Sequence, residues 1–464
     1  MRPVGRLTLL VLAIALAPWC AGSASGAGRT PAVPGPTPAA AGRLVPLRNG
    51  MQLLLAPDTM ATTVDVSVWS RAGSAREPAG QVGISRLLER LLLAGGGTPE
   101  GAGLGRRIAE IGGQAGARTL SDFACYYETV PAGSLDLAVE LEAGRIRALS
   151  GEAASLADAV RAAGEEARRQ AATQPWGPAL QAFYGLAWGT HPYHRLAIGT
   201  DEDLSRITPA DCQGYHAAAF APNELLVTIT GRFDAAAAQA AAKRWLEPIA
   251  RRPRLPDVPA PAVQAAPRSG VERLDVPLDL VVVGWKVPGR AAAETPALRL
   301  LARLFAGDPA SRPQSVLLAD SVGCLSVQAM LDSRRQGGLL YVMAVLKPGA
   351  DSALVQRALL AELERFAREP AEAADLERAR RAEEMSTLLG WQTPRGCAEA
   401  LGSAQLVDGD WRLAASRYDD LQRLTAADVQ RVAARVLVPA GRTLLWVSTT
   451  RPSRTTPSTT QRRR

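Results

Sequence analysis

Two segments of this chain repeat each other at a fixed distance. Asp203-Leu-Ser-Arg-Ile-Thr-Pro-Ala-Asp-Cys-Gln213 is followed, 217 residues later, by Asp420-Leu-Gln-Arg-Leu-Thr-Ala-Ala-Asp-Val-Gln430. The same offset sets Pro222 against Pro439, and Leu225-Leu-Val-Thr-Ile229 against Arg442-Thr-Leu-Leu-Trp446. A register held without a gap over about 25 residues argues for internal duplication. The fold must then be built from two copies of one unit. In each copy a helix opens at Thr208 or Thr425 in a Thr-x-x-Asp pattern. There the hydroxyl and the carboxylate each satisfy a backbone N–H that the first turn leaves unpaired. An apolar strand follows.

Within each copy strands precede helices. Met51–Leu55 and Val64–Trp69 read as strands, the second by its alternation. Helices are expected near 82–93, 101–111, 134–148, 152–172 and 178–188. In the second copy Leu278–Val283 and Gly338–Ala344 read as strands, with helices near 351–368 and 372–390. Runs of strands beside runs of helices point to α+β layers and not to a doubly wound parallel sheet. The expected architecture is two homologous lobes, each a mostly antiparallel sheet with helices packed on one side, together forming a clamshell. Residues 251–270 are proline-rich and aperiodic, an extended linker between a lobe at 43–250 and a lobe at 271–448. A hydrophobic content of 47% in 464 residues supplies cores for both.

The ends carry other signals. Arg2 and Arg6 precede an apolar run from Leu7 to Ala17, and small residues follow to Ala27. That is a secretory signal peptide with its cleavage region at 1–27, too short for a membrane span. Residues 28–42 read as a flexible leader and 449–464 as a disordered tail. The expected location is the periplasm. A lipid anchor at Cys20 is disfavoured by Trp19, where a small residue is wanted. The remaining cysteines, Cys125, Cys212, Cys324 and Cys397, lack metal-type spacing and are expected as buried thiols, although three disulfide pairings are open to them. Net charge is +8, but it is spread as single arginines with 5% aromatics, which excludes a basic stripe with stacking platforms for nucleic acid.

A series of short motifs carries the functional reading. In order they are Leu47-Arg-Asn-Gly50, Trp69-Ser-Arg-Ala-Gly-Ser74 with Glu77, Gly83-Ile-Ser-Arg-Leu-Leu-Glu-Arg90, Gly97-Thr98, Ile111-Gly-Gly113, Ala117-Arg-Thr119 and Tyr126-Tyr127. His191-Pro-Tyr-His194, Ile198-Gly-Thr200 and Ala221-Pro-Asn223 complete the first half. Together, over most of residues 43–448, they resemble the insulinase/pitrilysin family of zinc metallopeptidases, which includes the mitochondrial processing peptidase.

The resemblance implies a zinc helix reading His-x-x-Glu-His. Its histidines, four apart on one face, bind the metal, and its glutamate activates the bound water. Arg86 and Arg90 stand at the histidine positions here, Glu89 at the base position, and Glu166 at the third ligand. Zinc is therefore expected to be lost, leaving no cofactor. These residues are read either as an Arg/Glu cross-link in place of the metal or as solvated side chains. The family's second half supplies an Arg and a Tyr that clamp substrate, and Leu318 and Leu325 fall there. Gly116 falls at the substrate-strand asparagine, so Gly116, Ala117 and Thr119 mark a candidate substrate edge.

Weaker candidates are set aside. The His191/His194 pair reads as a structural loop, Ser85 lacks a nucleophile elbow, Gly95-Gly-Gly97 lacks a phosphate-loop lysine, and Trp176 reads as a turn anchor. The expected function is a noncatalytic, exported partner of a zinc-competent homologous subunit or a scaffold in an envelope complex, with peptides or unfolded segments as ligands. The alternative is a residual metalloendopeptidase or hydrolase using Glu89 and Glu166 for acid–base chemistry.

Overall fold

The structure, a computed structural model, describes residues 42–93, 104–147, 149, 153–195 and 199–451. The signal peptide, nearly all of the leader, Gly95–Thr98 and most of the tail lie outside the described residues. The first half runs β1 (Arg43–Pro46), β2 (Gln52–Pro57), β3 (Thr63–Ser70), α1 (Ile84–Leu93), α2 (Leu104–Glu110), β4 (Gln114–Thr119) and β5 (Ala124–Pro131). Then come α3 (Leu135–Arg147), α4 (Ala153–Thr173), α5 (Gly177–Trp188), α6 (Asp201–Ser205), α7 (Pro209–Ala219), β6 (Leu225–Gly231) and α8 (Ala235–Trp245). The second half runs β7 (Arg268–Leu274), β8 (Leu280–Val287), α9 (Thr295–Ala306), α10 (Arg312–Leu317), β9 (Cys324–Ser333) and β10 (Gly338–Leu346). It closes with α11 (Ser352–Arg368), α12 (Ala373–Gly390), α13 (Pro394–Ser403), α14 (Leu413–Arg423), α15 (Ala426–Val436) and β11 (Arg442–Thr449).

The duplication governs topology. The first sheet has the order β1-β2-β6-β3-β5-β4 and the second β7-β11-β8-β10-β9. Without β1 the two orders match strand for strand. In each sheet one pair is parallel, β2 with β6 and β7 with β11, and the rest are antiparallel. The fold is thus α+β with two lobes. Thr208 and Thr425 each accept from the N–H three residues on, while Asp211 and Asp428 reach back to the threonine N–H groups. Both capping boxes expected from the sequence are present.

Each lobe's own helices bury their apolar faces on one side of its sheet. In the first lobe Ile84, Leu87, Leu88, Val139 and Ile146 meet Val64, Val66 and Val68. In the second Leu298, Leu301, Leu359 and Leu363 meet Val281, Val283 and Val342. The other side of each sheet is covered by a helix from the opposite half. Phe183 and Trp188 of α5 pack on Leu280, Val282 and Tyr341 of the second sheet. Leu401 of α13, with Trp411, packs on Trp69 and Leu226 of the first. α5 and α13 correspond under the duplication, so the exchange is reciprocal. At about 1.5–3 kcal/mol for each large apolar side chain buried, the crossing joins the lobes strongly.

The linker differs from expectation at its end. Residues 251–267 hold no helix or strand, but Arg268–Gly270 already belong to β7, pairing in parallel with Thr443–Leu445. The stretch before it is held by Arg76, which donates to the Leu255 and Pro256 carbonyls. All four described cysteines are free thiols, and Cys125, Cys212 and Cys324 are buried.

Candidate functional site

Helix α1 places the residues at the positions of the zinc motif. Its N-terminus is held by the buried carboxylate of Glu77, which accepts from Gly83 N at 2.9 Å and Ser85 N at 3.1 Å. Burial pushes the Glu77 carboxyl up to about 7, against those hydrogen bonds. Ile84, Leu87, Leu88 and Leu91 face the core. Arg86, Glu89 and Arg90 therefore fall together on the remaining face, as their spacing of three and four requires.

Glu89 is 2% exposed, although it is charged and sits beside partly open arginines. Arg86 Nη1 donates to Glu89 Oε1 at 2.9 Å and Oε2 at 3.0 Å, and Thr119 Oγ1 of β4 donates to Oε2 at 2.6 Å. Arg86 Nη2 lies 3.9 Å and Arg90 Nη2 3.6 Å from the two carboxylate oxygens of Glu166 on α4. Arg169 Nη2, one turn along α4, donates to Glu166 at 2.8 Å. The hydrogen bond from Arg169 holds the Glu166 carboxyl below its usual range, and the charges of Arg90, Arg169 and Arg86 add to this. The four motif residues thus form one ion-paired cluster that ties α1 to α4 and, through Thr119, to β4.

This donor set does not fit zinc. A guanidinium has no lone pair to offer and stays protonated in proteins. Of the three ligand positions only Glu166 carries a donor, and it is taken up by three arginines. Among the described residues no group of three His, Cys, Asp or Glu side chains converges in a metal-holding arrangement.

The candidate substrate edge is divided. β4 is the outer strand of its sheet, so one side of its backbone has no strand partner. Thr119, however, is 5% exposed and committed to Glu89. A Cβ added at Gly116 would overlap the Tyr127 hydroxyl, so an asparagine side chain there requires Tyr127 to move. Leu318 is the residue that follows α10, and Leu325 is exposed on β9. His191 Nε2 meets the Pro259 carbonyl at 2.9 Å, its Nδ1 accepts from Tyr193 N, and His194 Nδ1 meets the His191 carbonyl at 2.8 Å. Both histidines are consumed by the loop. Ser85 Oγ pairs with Tyr215 Oη at 2.7 Å and its hydroxyl also bonds the Glu77 carboxylate, so it is held within the buried start of α1. Trp176 is the residue preceding α5 and packs partly against the second lobe's core.

Sequence reasoning missed two partners of the cluster. Arg169 was available as an i+3 neighbour of Glu166 on one helix. Thr119 pairs across the fold with Glu89, and no local spacing signals that.

Comparison with known proteins agrees with this frame. The profile described as "Insulinase (Peptidase family M16)" matches residues 53–167, and "Peptidase M16 inactive domain" matches 206–383. The uncharacterized zinc protease Rv2782c of Mycobacterium tuberculosis is 26% identical over 408 residues, 87% of this chain and 92% of that protein. Zinc protease PqqE of Helicobacter pylori is 25% identical over 280 residues, 59% of this chain and 63% of its own length. Among solved structures, a protease from Helicobacter pylori superposes with a TM-score of 0.81 at 22% identity, covering 88% of this chain and 99% of that one. The first half of the periplasmic protease PqqL from Escherichia coli gives 0.71 at 16% identity, covering 88% and 92%. Two family profiles in order along a duplicated α+β chain leave one assignment: the chain belongs to the insulinase-type (M16) peptidase family.

Proposed function

We propose that this chain is an exported, catalytically silent member of its family. It acts as the noncatalytic partner or scaffold of a zinc-competent homologous subunit or envelope complex and receives peptide along the β4 edge. The observation that carries the reading is the placement of Arg86 and Arg90 at the histidine positions, each directed at a carboxylate that the family uses for zinc chemistry. An outer strand with an unpaired backbone side suits peptide capture by strand addition. Export is supported by the Arg2/Arg6 and Leu7–Ala17 pattern. No described helix is long and apolar enough to cross a membrane.

A hydrolase running on Glu89 and Glu166 alone is less well supported. A general acid at neutral pH needs a carboxyl raised toward 7, and Glu166 is shifted the other way. The test is hydrolysis of a quenched fluorescent peptide library by the purified chain, combined with affinity capture from its native cells. The expected result is no turnover with or without a chelator, and co-elution of a relative carrying an intact His-x-x-Glu-His. Chelator-sensitive turnover that disappears in Glu89→Gln would overturn the reading, as would capture without any zinc-competent relative.

A further inference from the structure

A second site lies on the opposite face of β4 from the Glu89 cluster. Thr119 turns toward α1, while its neighbour Arg118 lines a cavity of about 630 Å³ bounded by α9, α12, α13 and α14. That volume lies in the range of ligand pockets. Five arginines line it: Arg118, Arg290, Arg299, Arg395 and Arg417. Their carboxylate partners are too few. Glu399 is shared by Arg118 and Arg395. Asp408 is shared by Arg290, at 3.2 Å, and Arg417, at 2.6 Å. Glu383, also on the wall, is held by Arg303 at 2.8 Å. Arg299 is left with no hydrogen bond or ion pair among the described residues, though it stands open to the cavity. Burial among the surrounding elements holds its guanidinium below the usual range; the Glu383 and Asp408 charges oppose this and Arg417 adds to it. Five guanidiniums thus share three neighbouring carboxylates, Glu383, Glu399 and Asp408, and the cavity carries an excess of positive charge.

The wall is also apolar in part, through Pro296, Leu389, Trp391 and Leu421. Inorganic phosphate has no use for those surfaces, whereas a carboxylate carried on a peptide uses both. A planar guanidinium fork matches a carboxylate in a bidentate pair. We propose that the cavity binds a short acidic peptide segment, with Arg299 as the free guanidinium that receives its carboxylate. This goes beyond the pseudopeptidase reading and does not depend on it, because it holds or fails by ligand binding whatever the zinc content or partner.

The carboxylate has two sources, an acidic side chain or a peptide C-terminus, and isothermal titration of the full chain at low salt separates them. The probes are an acetylated and amidated hexapeptide rich in glutamate, its glutamine counterpart, that counterpart with a free C-terminus, and inorganic phosphate. The expected result is binding of the glutamate peptide at least about tenfold tighter than its capped glutamine counterpart, weakening with salt. Selective binding of the free-carboxylate peptide instead supports the site and assigns the C-terminus as source. Arg299→Gln should lose about tenfold or more in affinity while unfolding at the wild-type temperature, since Arg299 makes no structural pair, and Arg299→Lys should recover part of it. Equal binding of charged and neutral peptides, no peptide binding, phosphate binding alone, or an unaffected Arg299→Gln would overturn the proposal.

Discussion

Arg86 sets one guanidinium nitrogen, Nη1, 2.9 and 3.0 Å from the two carboxylate oxygens of Glu89, three residues along the same helix. Thr119 completes the carboxylate from β4 at 2.6 Å. Three elements thereby meet at a buried anion, so neutralising it should be felt. Glu89→Gln is expected to lower unfolding free energy by about 1–3 kcal/mol in urea titrations, because Arg86 keeps only its longer contact with Glu166. Thr119→Val should lose about 1 kcal/mol. The double variant should lose less than the two separate losses combined, since both act on one carboxylate.

His216 gives a pH signature. Its ring is 2% exposed and its Nε2 meets the Arg145 carbonyl at 2.8 Å. Burial pushes its pKa down to about 4 from 6.5. The unfolded chain therefore takes up the proton first as pH falls. Stability from this group is complete above pH 6.5 and is lost as pH drops toward 4, at up to about 1.4 kcal/mol per unit. His216→Gln keeps a donor but does not titrate. Relative to this variant, wild type should lose about 2 kcal/mol between pH 7.5 and 4.5 in paired chemical unfolding. Parallel curves would count against a neutral buried imidazole.

Glu128 behaves in the opposite sense. Glu128, Glu142 and Arg145 are all fully buried, with Arg145 Nη2 2.6 Å from Glu128 and Nη1 2.9 Å from Glu142. One cation between two carboxylates leaves a charge over, and Glu128 Oε2 and both Glu142 oxygens lack hydrogen bonds. A proton retained on Glu128 resolves this, and burial with the Glu142 charge holds the Glu128 carboxyl well above its usual range. A raised carboxyl contributes stability at low pH that is lost as pH rises. Glu128→Gln mimics the protonated form, so its unfolding temperature should equal or exceed wild type at pH 8 and gain on wild type from pH 5 upward.

The exchanged helices can be tested by packing. A Cβ added at Gly402 of α13 would overlap the Trp69 indole of the first sheet. Gly402→Val should destabilise by about 1–3 kcal/mol through overpacking, and Phe183→Ala on α5 by about 3–5 kcal/mol through the cavity it leaves. Both variants should speed proteolytic cleavage within 251–267, because loosening either crossing frees the lobes from each other.

Local pattern made much of this visible. Thr208 and Thr425 announced their helices because a capping box is written in four consecutive residues. The 217-residue offset correctly implied matching sheets, down to the equivalence of β3 with β8. The placement of α5 and α13 was not legible, because an apolar face such as that of Phe183 says that it is buried and not against which sheet. The arginine cavity escaped for the same reason: Arg118 and Arg299 are 181 positions apart, and only the crossing of α13 brings their surroundings together. The end of the linker was misplaced because Arg268–Gly270 take their strand form from β11, not from their own sequence.

We propose that the Arg86/Arg90 pair stands in place of the family's metal. This is tested most directly by measuring zinc bound per chain, by elemental analysis and competition titration, in wild type beside the Arg86→His/Arg90→His double variant. That variant restores the motif around Glu89 and Glu166. The expected result is no stoichiometric zinc on wild type and a gain of zinc by the double variant. One zinc per wild-type chain, lost in Glu166→Gln, would contradict it.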